Sequence, residues 1–217
     1  MTVDGSSWLS PWREDHELLA VLEESRRLGF LGPRDVTAHL EHAVAMGRAV
    51  QSDLRSGAVL DLGSGGGVPG LVLARLAPGS VWTLLDSQER RTEFLTEAVH
   101  ELGLAGRVVV VRARAEDVGR RVEHRERYRL VTSRSFGAAG ITAECGSPLL
   151  AVGGRLVVSE PPSTDENRWP AAPLLELGLE CRRVDVDGLG FAVLEKVAPT
   201  PEWAPRRVGR LGKRPYF

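Results

Sequence analysis

The sequence predicts a doubly wound α/β fold, with a mostly parallel sheet preceded by a short helical extension. Short apolar runs typical of buried strands alternate with longer stretches of helical periodicity along most of the chain, and this alternation favours a parallel sheet covered by helices. The first apolar run, from Ala58 to Leu62, leads through a glycine-rich turn into the next helix. We therefore expect three regions: an N-terminal extension at 1–56, an α/β core at 57–200 and a basic arm at 201–217.

The composition is that of an ordinary globular chain. Its 217 residues are 42% hydrophobic and 26% charged, which is enough to build one buried core. No apolar run reaches the length of a membrane span or signal core, so we expect a cytoplasmic protein without membrane contact. Cys145 and Cys181 have no metal or disulfide spacing, and His39 and His42 have no third ligand nearby in sequence. We expect no metal site.

Charge is distributed unevenly along the chain. The formal net charge of −1 argues against an indiscriminate nucleic-acid coat. However, residues 112–134 contain eight arginines against four acids, and residues 203–217 contain five bases and no acid. Two basic patches on a neutral body suit contact with a polyanion at one face, and solvated arginine-rich surfaces are the alternative.

Two helices are predicted before the sheet. A stripe of apolar residues predicts the first from Glu14 to Leu28, with Gly29 as a natural stop. A second stripe predicts another helix from Gly32 to about Gln51. We expect both helices to cover the sheet.

The turn after the first strand has the composition of a nucleotide site. Gly63, Gly65 and Gly67 alternate, so the backbone can adopt positive φ and approach a ligand with no Cβ in the way. The dinucleotide fingerprint requires a small residue where this chain has Val68, so NAD fits poorly. Pro69 is expected at the first position of the next helix. A structural turn with incidental glycines is the alternative.

The second predicted strand, from Val81 to Asp86, ends in a carboxylate. Asp86 follows Gly63 by 23 residues. This is close to the spacing of about 20 at which an acid accepts hydrogen bonds from ribose hydroxyls. The alternative role for Asp86 is to cap the helix predicted over 87–103.

The remaining elements continue the alternation. They are strands at 107–112, 128–133, 155–159, 179–186 and 190–197, and helices at 138–151 and 169–177. Glu116 and Arg134 follow the third and fourth strands, at the edge of the sheet where ligands collect. Glu116 is suited to accept from an adenine amino group or a ribose hydroxyl, and Arg134 to pair with a carboxylate or phosphate. A helix cap and a surface ion pair are the respective alternatives.

These motifs together resemble one family. The acid before alternating glycines and the acid ending the next strand resemble class I S-adenosylmethionine-dependent methyltransferases, which have a Rossmann-like sheet. The narrower likeness is to the bacterial small-subunit ribosomal RNA guanine-N(7) methyltransferases, once called glucose-inhibited division protein B. It extends from about Gly32 to the C-terminus and is carried by residues 61–70, 84–87, 114–116, 132–137 and 205–215.

The resemblance implies a methyltransferase that uses S-adenosylmethionine and acts on ribosomal RNA or the small ribosomal subunit. We also expect a monomer. The implied cofactor-binding residues are Gly63, Gly65, Gly67, Val68, Asp86, Ala115, Glu116 and Arg134. Guanine N(7) carries an in-plane lone pair and no proton, so alignment of the reactants can supply the catalysis and we expect no catalytic base.

The basic arm is expected to contact RNA rather than the cofactor. Its bases are broken by glycine and proline, which excludes a regular helix and favours an extended segment. The candidate phosphate contacts are Arg206, Arg207, Arg210 and Lys213. The alternative is that Arg206 and Arg207 fold back and pair with acids on the core.

One stretch departs from the family pattern. After the fifth strand the family usually has a Lys-Gly step, where this chain has Glu160-Pro161-Pro162. We expect a carboxylate and stiffer backbone at the rim of the site. The alternative functions are a methyltransferase acting on a small molecule or protein, and a noncatalytic ribosome-binding relative.

Overall fold

In the computed structural model, the protein forms a seven-stranded sheet in the order β3-β2-β1-β4-β5-β7-β6. The structure describes residues 11–161, 166–207, 211 and 216–217. The strands are β1 (Gly57–Leu62), β2 (Ser80–Asp86), β3 (Val108–Arg112), β4 (Tyr128–Ser133), β5 (Leu150–Ser159), β6 (Leu179–Val186) and β7 (Leu189–Lys196). The helices are α1 (His16–Arg27), α2 (Val36–Ala49), α3 (Gly70–Leu76), α4 (Glu89–Glu101), α5 (Ala115–Val118), α6 (Ala139–Gly146) and α7 (Ala171–Glu176).

The sheet is mostly parallel, which confirms the predicted fold class. Strands β1 to β5 run parallel to one another, and β7 pairs antiparallel with both β5 and β6. The strand order reverses between β1 and β4, because β2 lies on one side of β1 and β4 on the other. The carboxyl ends of strands at such a switch point are where doubly wound sheets bind their ligands.

Two apolar layers cover the two faces of the sheet. One is formed by side chains of α1 to α4 packed on Val59, Trp82 and Leu84. The other is formed by α5 to α7 packed on Leu60 and Leu85. Successive strand residues thus supply opposite layers, as the period of two requires.

The two N-terminal helices begin later than predicted, because each starts after an aspartate cap. Asp15 accepts a hydrogen bond from the backbone N–H of Leu18 at 3.0 Å, and Asp35 accepts from Ala38 at 2.9 Å. Both carboxylates satisfy N–H groups that the first helical turn leaves unpaired. Gly29, with φ of +76°, follows the first helix as expected.

Asp61 joins β1 to two other elements beneath the glycine turn. Its Oδ1 accepts from Thr132 Oγ1 on β4 at 2.6 Å, and its Oδ2 accepts from the N–H of Gly70 on α3 at 3.2 Å. A Cβ at Gly70 would lie 2.5 Å from that Oδ2, so the helix approaches only through glycine. Burial raises the pKa of Asp61 to about 6. Pro69 was expected to be the first helical residue, but it caps α3 and Gly70 is the first.

The prediction around β5 was wrong. The helix predicted over 138–151 ends at Gly146, and the strand begins at Leu150 rather than at Arg155. Gly153 and Gly154, expected to close the helix, lie inside the strand. A Cβ at Gly154 would be 2.8 Å from the carbonyl oxygen of Arg129, so Gly154 accommodates a shift of register against β4.

The described part of the basic arm is fastened to the core. The guanidinium of Arg125 donates to the carbonyls of Thr200, Pro201 and Ala204 at 2.9 to 3.2 Å. Further along, Arg206 Nη2 lies 2.6 Å from Oε2 of Glu144, whose side chain is completely buried in α6. The arm therefore completes the face of the core that α6 forms.

No helix in the described part of the chain combines the length and apolarity needed to cross a membrane. Within the same residues, no three His, Cys, Asp or Glu side chains are grouped so as to hold a metal ion.

Asp61→Asn is expected to change how stability depends on pH. The folded-state pKa of about 6 exceeds the reference value of 3.8, so the contribution of Asp61 to stability is complete below pH 4 and is lost as pH rises through 6. The variant cannot ionise at this position. Its free energy of unfolding relative to the native protein should therefore rise by about 2 kcal/mol between pH 4 and pH 7.

Urea denaturation of both proteins across this range measures the difference. The amide also loses the acceptor for Gly70 N–H, which lowers stability equally at every pH. A difference between the two proteins that does not vary with pH would contradict the raised pKa.

Candidate active site

Two adjoining cavities open at the carboxyl end of the sheet. The first, of about 210 Å³, is bounded by the ends of β1, β2 and β3 and by the loop after β4. The second, of about 150 Å³, lies between the glycine turn, that same loop and the N-terminal extension. Gly63, Arg91 and Ser135 line both cavities, so the two form one bent site that turns at Gly63.

Asp86 lines the first cavity and is almost fully buried. Its Oδ2 accepts from the N–H of Gly65 at 2.9 Å, and its Oδ1 accepts from the N–H of Gln88 at 2.9 Å. One carboxylate thus fixes both the glycine turn and the start of α4. Each oxygen retains a second lone pair, so Asp86 can still accept a hydrogen bond from a ligand hydroxyl.

Ala115 and Glu116 line the first cavity at the start of α5, as their place after the third strand predicted. The Glu116 side chain has no hydrogen bond or ion pair with any described residue. Asp86 and Glu116 are therefore two acceptors on the wall of one cavity.

The glycines of the turn have different roles. Gly63 has φ of +75°, and a Cβ there would lie 2.7 Å from Cδ2 of Phe136, which also lines the first cavity. Gly65 lines the second cavity. Gly67 lines neither cavity. A Cβ on it would lie 2.4 Å from Leu71 of α3, so this glycine allows the turn to pack closely against the helix. Gly66 lines the second cavity, although the alternating pattern did not select it.

The N-terminal extension forms one wall of the second cavity. Phe30, Leu31 and Gly32 line it opposite Val68 of the glycine turn. The extension also holds the turn directly, because Ser25 Oγ donates to the carbonyl of Gly66 at 2.9 Å. From sequence, these helices were expected only to cover the sheet, and the cavity wall they provide was missed.

Arg134 lines the second cavity with an unpaired donor. Its Nη2 donates to Nδ1 of His39 at 2.5 Å, while its Nη1 is buried and has no partner among the described residues. Burial lowers the pKa of Arg134. Leaving a buried guanidinium N–H unsatisfied is costly, so this donor fits an anionic ligand group in the cavity.

Arg91 is a second basic residue of the site and was not among the predicted site residues. It lines both cavities from the first turns of α4, and its Nη1 is 3.7 Å from Oδ2 of Asp86. Its Nε is buried without a partner among the described residues. The sequence signal was present, because the first turn of a helix that follows a parallel strand lies at the ligand edge of the sheet.

The loop after β4 places two further side chains at the first cavity. Ser135 has φ of +55°, a left-handed conformation that is uncommon outside glycine and that concentrates at functional sites. The loop then brings Phe136 against Gly63. Neither residue was predicted as part of the site.

The residues proposed for RNA contact lie in different environments. Arg206 is bound to the buried Glu144, which is the folded-back alternative, whereas Arg207 is exposed and has no partner among the described residues. Arg210 and Lys213 lie outside the described residues.

Glu160 does not present its charge at the rim as expected. Its side chain is only 3% exposed, and Oε1 accepts from Trp169 Nε1 at 2.9 Å and from Arg168 Nε at 3.3 Å. The carboxylate is therefore enclosed beside an arginine, and its charge is not open to a ligand at the rim. Pro162 of the same stretch lies outside the described residues.

Comparisons with known proteins identify the family of the chain. The model of the family described as rRNA small subunit methyltransferase G matches residues 19–167. A "Ribosomal RNA small subunit methyltransferase G" from Symbiobacterium thermophilum is 37% identical, over 94% of this chain and 84% of the relative. The protein of the same name from Thermotoga neapolitana is also 37% identical, over 91% of this chain and 87% of its own.

The fold is shared more widely. A crystal structure of a methyltransferase from Geobacter sulfurreducens matches 83% of this chain and 88% of that one, with a TM-score of 0.58 and 15% identity. Such a likeness supports the class of fold alone. The family match and the relatives, however, cover most of the sequence, and the family expected from the motifs is confirmed. The chain belongs to the rRNA small subunit methyltransferase G family.

Proposed function

We propose that the protein transfers the methyl group of S-adenosylmethionine to N(7) of a guanine in small-subunit ribosomal RNA. One observation carries the proposal: the bent site has carboxylate acceptors on one side of Gly63 and a buried arginine with an unpaired N–H on the other. S-adenosylmethionine has the complementary distribution, with hydroxyl and amino donors at the adenosine end and a carboxylate at the methionine end. The family to which the chain belongs points to the same chemistry.

The residues present fit this cofactor in both cavities. In the first, Asp86 would accept from ribose hydroxyls and Glu116 from a hydroxyl or the adenine amino group. In the second, Arg134 and Arg91 would donate their unpaired N–H groups to the methionine carboxylate. Gly63, between the cavities, leaves room for the ligand to pass close to the backbone.

The proposed mechanism depends on positioning rather than proton transfer. The cofactor supplies an electrophilic methyl group on a sulfonium. Guanine N(7) carries a lone pair and no proton, so no side chain is assigned as a base. The chain's contribution is to hold the two reactants in line, which can provide a large part of the rate enhancement. Asp86 is tied to the backbone at Gly65 and Gln88, so it already has the fixed orientation that such positioning needs.

RNA is proposed to contact the basic arm outside the two cavities. Arg206 has its guanidinium directed to Glu144, so the proposed phosphate contacts are Arg207, Arg210 and Lys213. Phosphate contacts of this kind position a nucleic acid without reading its sequence.

The function is tested by incubating the purified protein with S-adenosylmethionine and either naked small-subunit rRNA or isolated small subunits. Mass spectrometry of the digested nucleosides is expected to show 7-methylguanosine with at least one substrate. RNA from reactions without the protein is the control. Methylation of another nucleoside, or of protein or small molecules alone, would overturn the proposal.

Glu116→Ala is expected to weaken S-adenosylmethionine binding about tenfold, the value of a hydrogen bond to a charged group. The matched control is Asp117→Ala, since Asp117 is the next acid in the same turn but is exposed and does not line the cavity. Isothermal titration calorimetry measures both affinities. Equal effects of the two substitutions would remove Glu116 from the cofactor site.

Arg206→Ala is expected to change the stability of the protein, and Arg207→Ala to change the salt dependence of RNA binding. Removing the Arg206 side chain leaves the buried Glu144 with the backbone N–H of residue 206 but no charged partner. The free energy of unfolding should then fall by about 3 kcal/mol while the salt dependence of RNA binding stays unchanged. Removing the exposed Arg207 should change stability by less than about 0.5 kcal/mol. It should lower the log–log slope of RNA affinity against salt by about 0.7 to 0.9, as for one phosphate contact.

Urea denaturation and filter binding over a salt series provide the two measurements. A stable Arg206→Ala variant with a reduced salt slope would return Arg206 to the RNA surface. An unchanged slope for Arg207→Ala would exclude Arg207 from it.

A further inference from the structure

The second cavity depends on a histidine from the N-terminal extension. His39 lies on α2, is 2% exposed, and reaches the loop after β4 by contacting Arg134. The contact joins residues 95 positions apart in sequence. It is the single hydrogen bond that the Arg134 side chain makes within the described residues.

The hydrogen-bond pattern fixes the state of the imidazole. Nε2 of His39 is 3.2 Å from the carbonyl oxygen of Gly32, which can only accept, so Nε2 carries the hydrogen. Nδ1 is then the acceptor for Nη2 of Arg134 at 2.5 Å. Burial lowers the pKa of His39, and the positive charges of Arg134 and Arg34 lower it further, so the neutral ring that this pattern needs is favoured.

The same contact determines where the other half of the guanidinium lies. A guanidinium is planar, so fixing Nη2 on His39 also restricts Nη1. That Nη1 is the buried donor without a partner, on a side chain that lines the second cavity. Gly32, which anchors the opposite edge of the imidazole, lines the same cavity. The extension thus supplies both the wall of the cavity and the support for its arginine.

We propose that His39 is a positioning residue that orients Arg134 toward the carboxylate of the ligand in the second cavity. This inference rests on the proposed function, because it assigns Arg134 to the methionine end of S-adenosylmethionine. His39 itself does not line the cavity, so it acts through the guanidinium and not by touching the ligand.

The experiment is a double-mutant cycle read by calorimetric titration of the full-length protein with S-adenosylmethionine. His39→Leu removes the acceptor but keeps an apolar side chain of similar size, and it is expected to weaken binding about tenfold. His39→Asn offers an amide oxygen close to the position of Nδ1 and should restore the affinity to within about twofold of the native protein. In the Arg134→Ala background, His39→Leu should have no further effect, because coupled residues are not additive.

His42→Leu is the matched control. His42 lies on the next turn of α2, packs its ring edge-on to Phe191 and has no hydrogen bond to Arg134, although burial and the charge of Arg134 both lower its pKa. It should leave the affinity unchanged. Melting temperatures of all variants show whether a loss of binding follows from unfolding. If it does, His39→Asn should not restore the affinity without also restoring the melting temperature.

The outcomes separate the two hypotheses. If Arg134→Ala binds S-adenosylmethionine as well as the native protein does, the proposed role of Arg134 fails. If Arg134→Ala weakens binding but His39→Leu does not, the positioning role of His39 is overturned and the proposed site stands. Additive losses from the two substitutions would also overturn it, since His39 would then act independently of Arg134.

Discussion

The buried carboxylate of Asp61 is the contact on which the geometry of the site depends. It lies beneath the glycine turn and accepts hydrogen bonds from Thr132 on β4 and from Gly70 at the start of α3. The backbone carbonyl of Asp61 also accepts from Ser64 Oγ at 3.0 Å. The strand before the turn, the helix after it and the neighbouring strand are therefore joined at one side chain. Arg134 follows β4 by one residue, so the position of its loop is also set by this junction.

The strands were easier to predict than the helix ends, for a physical reason. The alternation of strands and helices predicted β4 at 128–133 and β6 at 179–186 with their observed bounds. Helix starts moved by up to four residues, because an aspartate side chain decides where the first turn begins. The error at β5 arose from reading Gly153 and Gly154 as a helix stop, when both lie inside the strand and Gly154 is packed against the backbone of β4. Such a contact is tertiary and leaves no local pattern.

In the site too, the residues that follow a local sequence pattern were predicted and those placed by tertiary contacts were not. Successive parallel strands end at or just before Gly63, Asp86, Glu116 and Arg134. The sequence order itself therefore predicted that these residues would lie at one edge, and the structure brings them to the two cavities. The wall formed by residues 30–32 could not be predicted in this way. It depends on how helices packed on one face of the sheet meet a loop at its edge. The partner of Arg206 likewise became evident only when the arm was seen against α6.

A site built from two distant parts of the chain has a thermodynamic consequence. One wall of the second cavity comes from the N-terminal extension and the other from the glycine turn, so a ligand held there touches both. Its binding energy then favours the docked arrangement of α1 and α2 over any opened one, by an amount that grows with ligand concentration. Docking of the two helices and binding of the ligand are therefore coupled equilibria. A substitution that weakens the docking lowers the ligand affinity even where it touches no ligand atom.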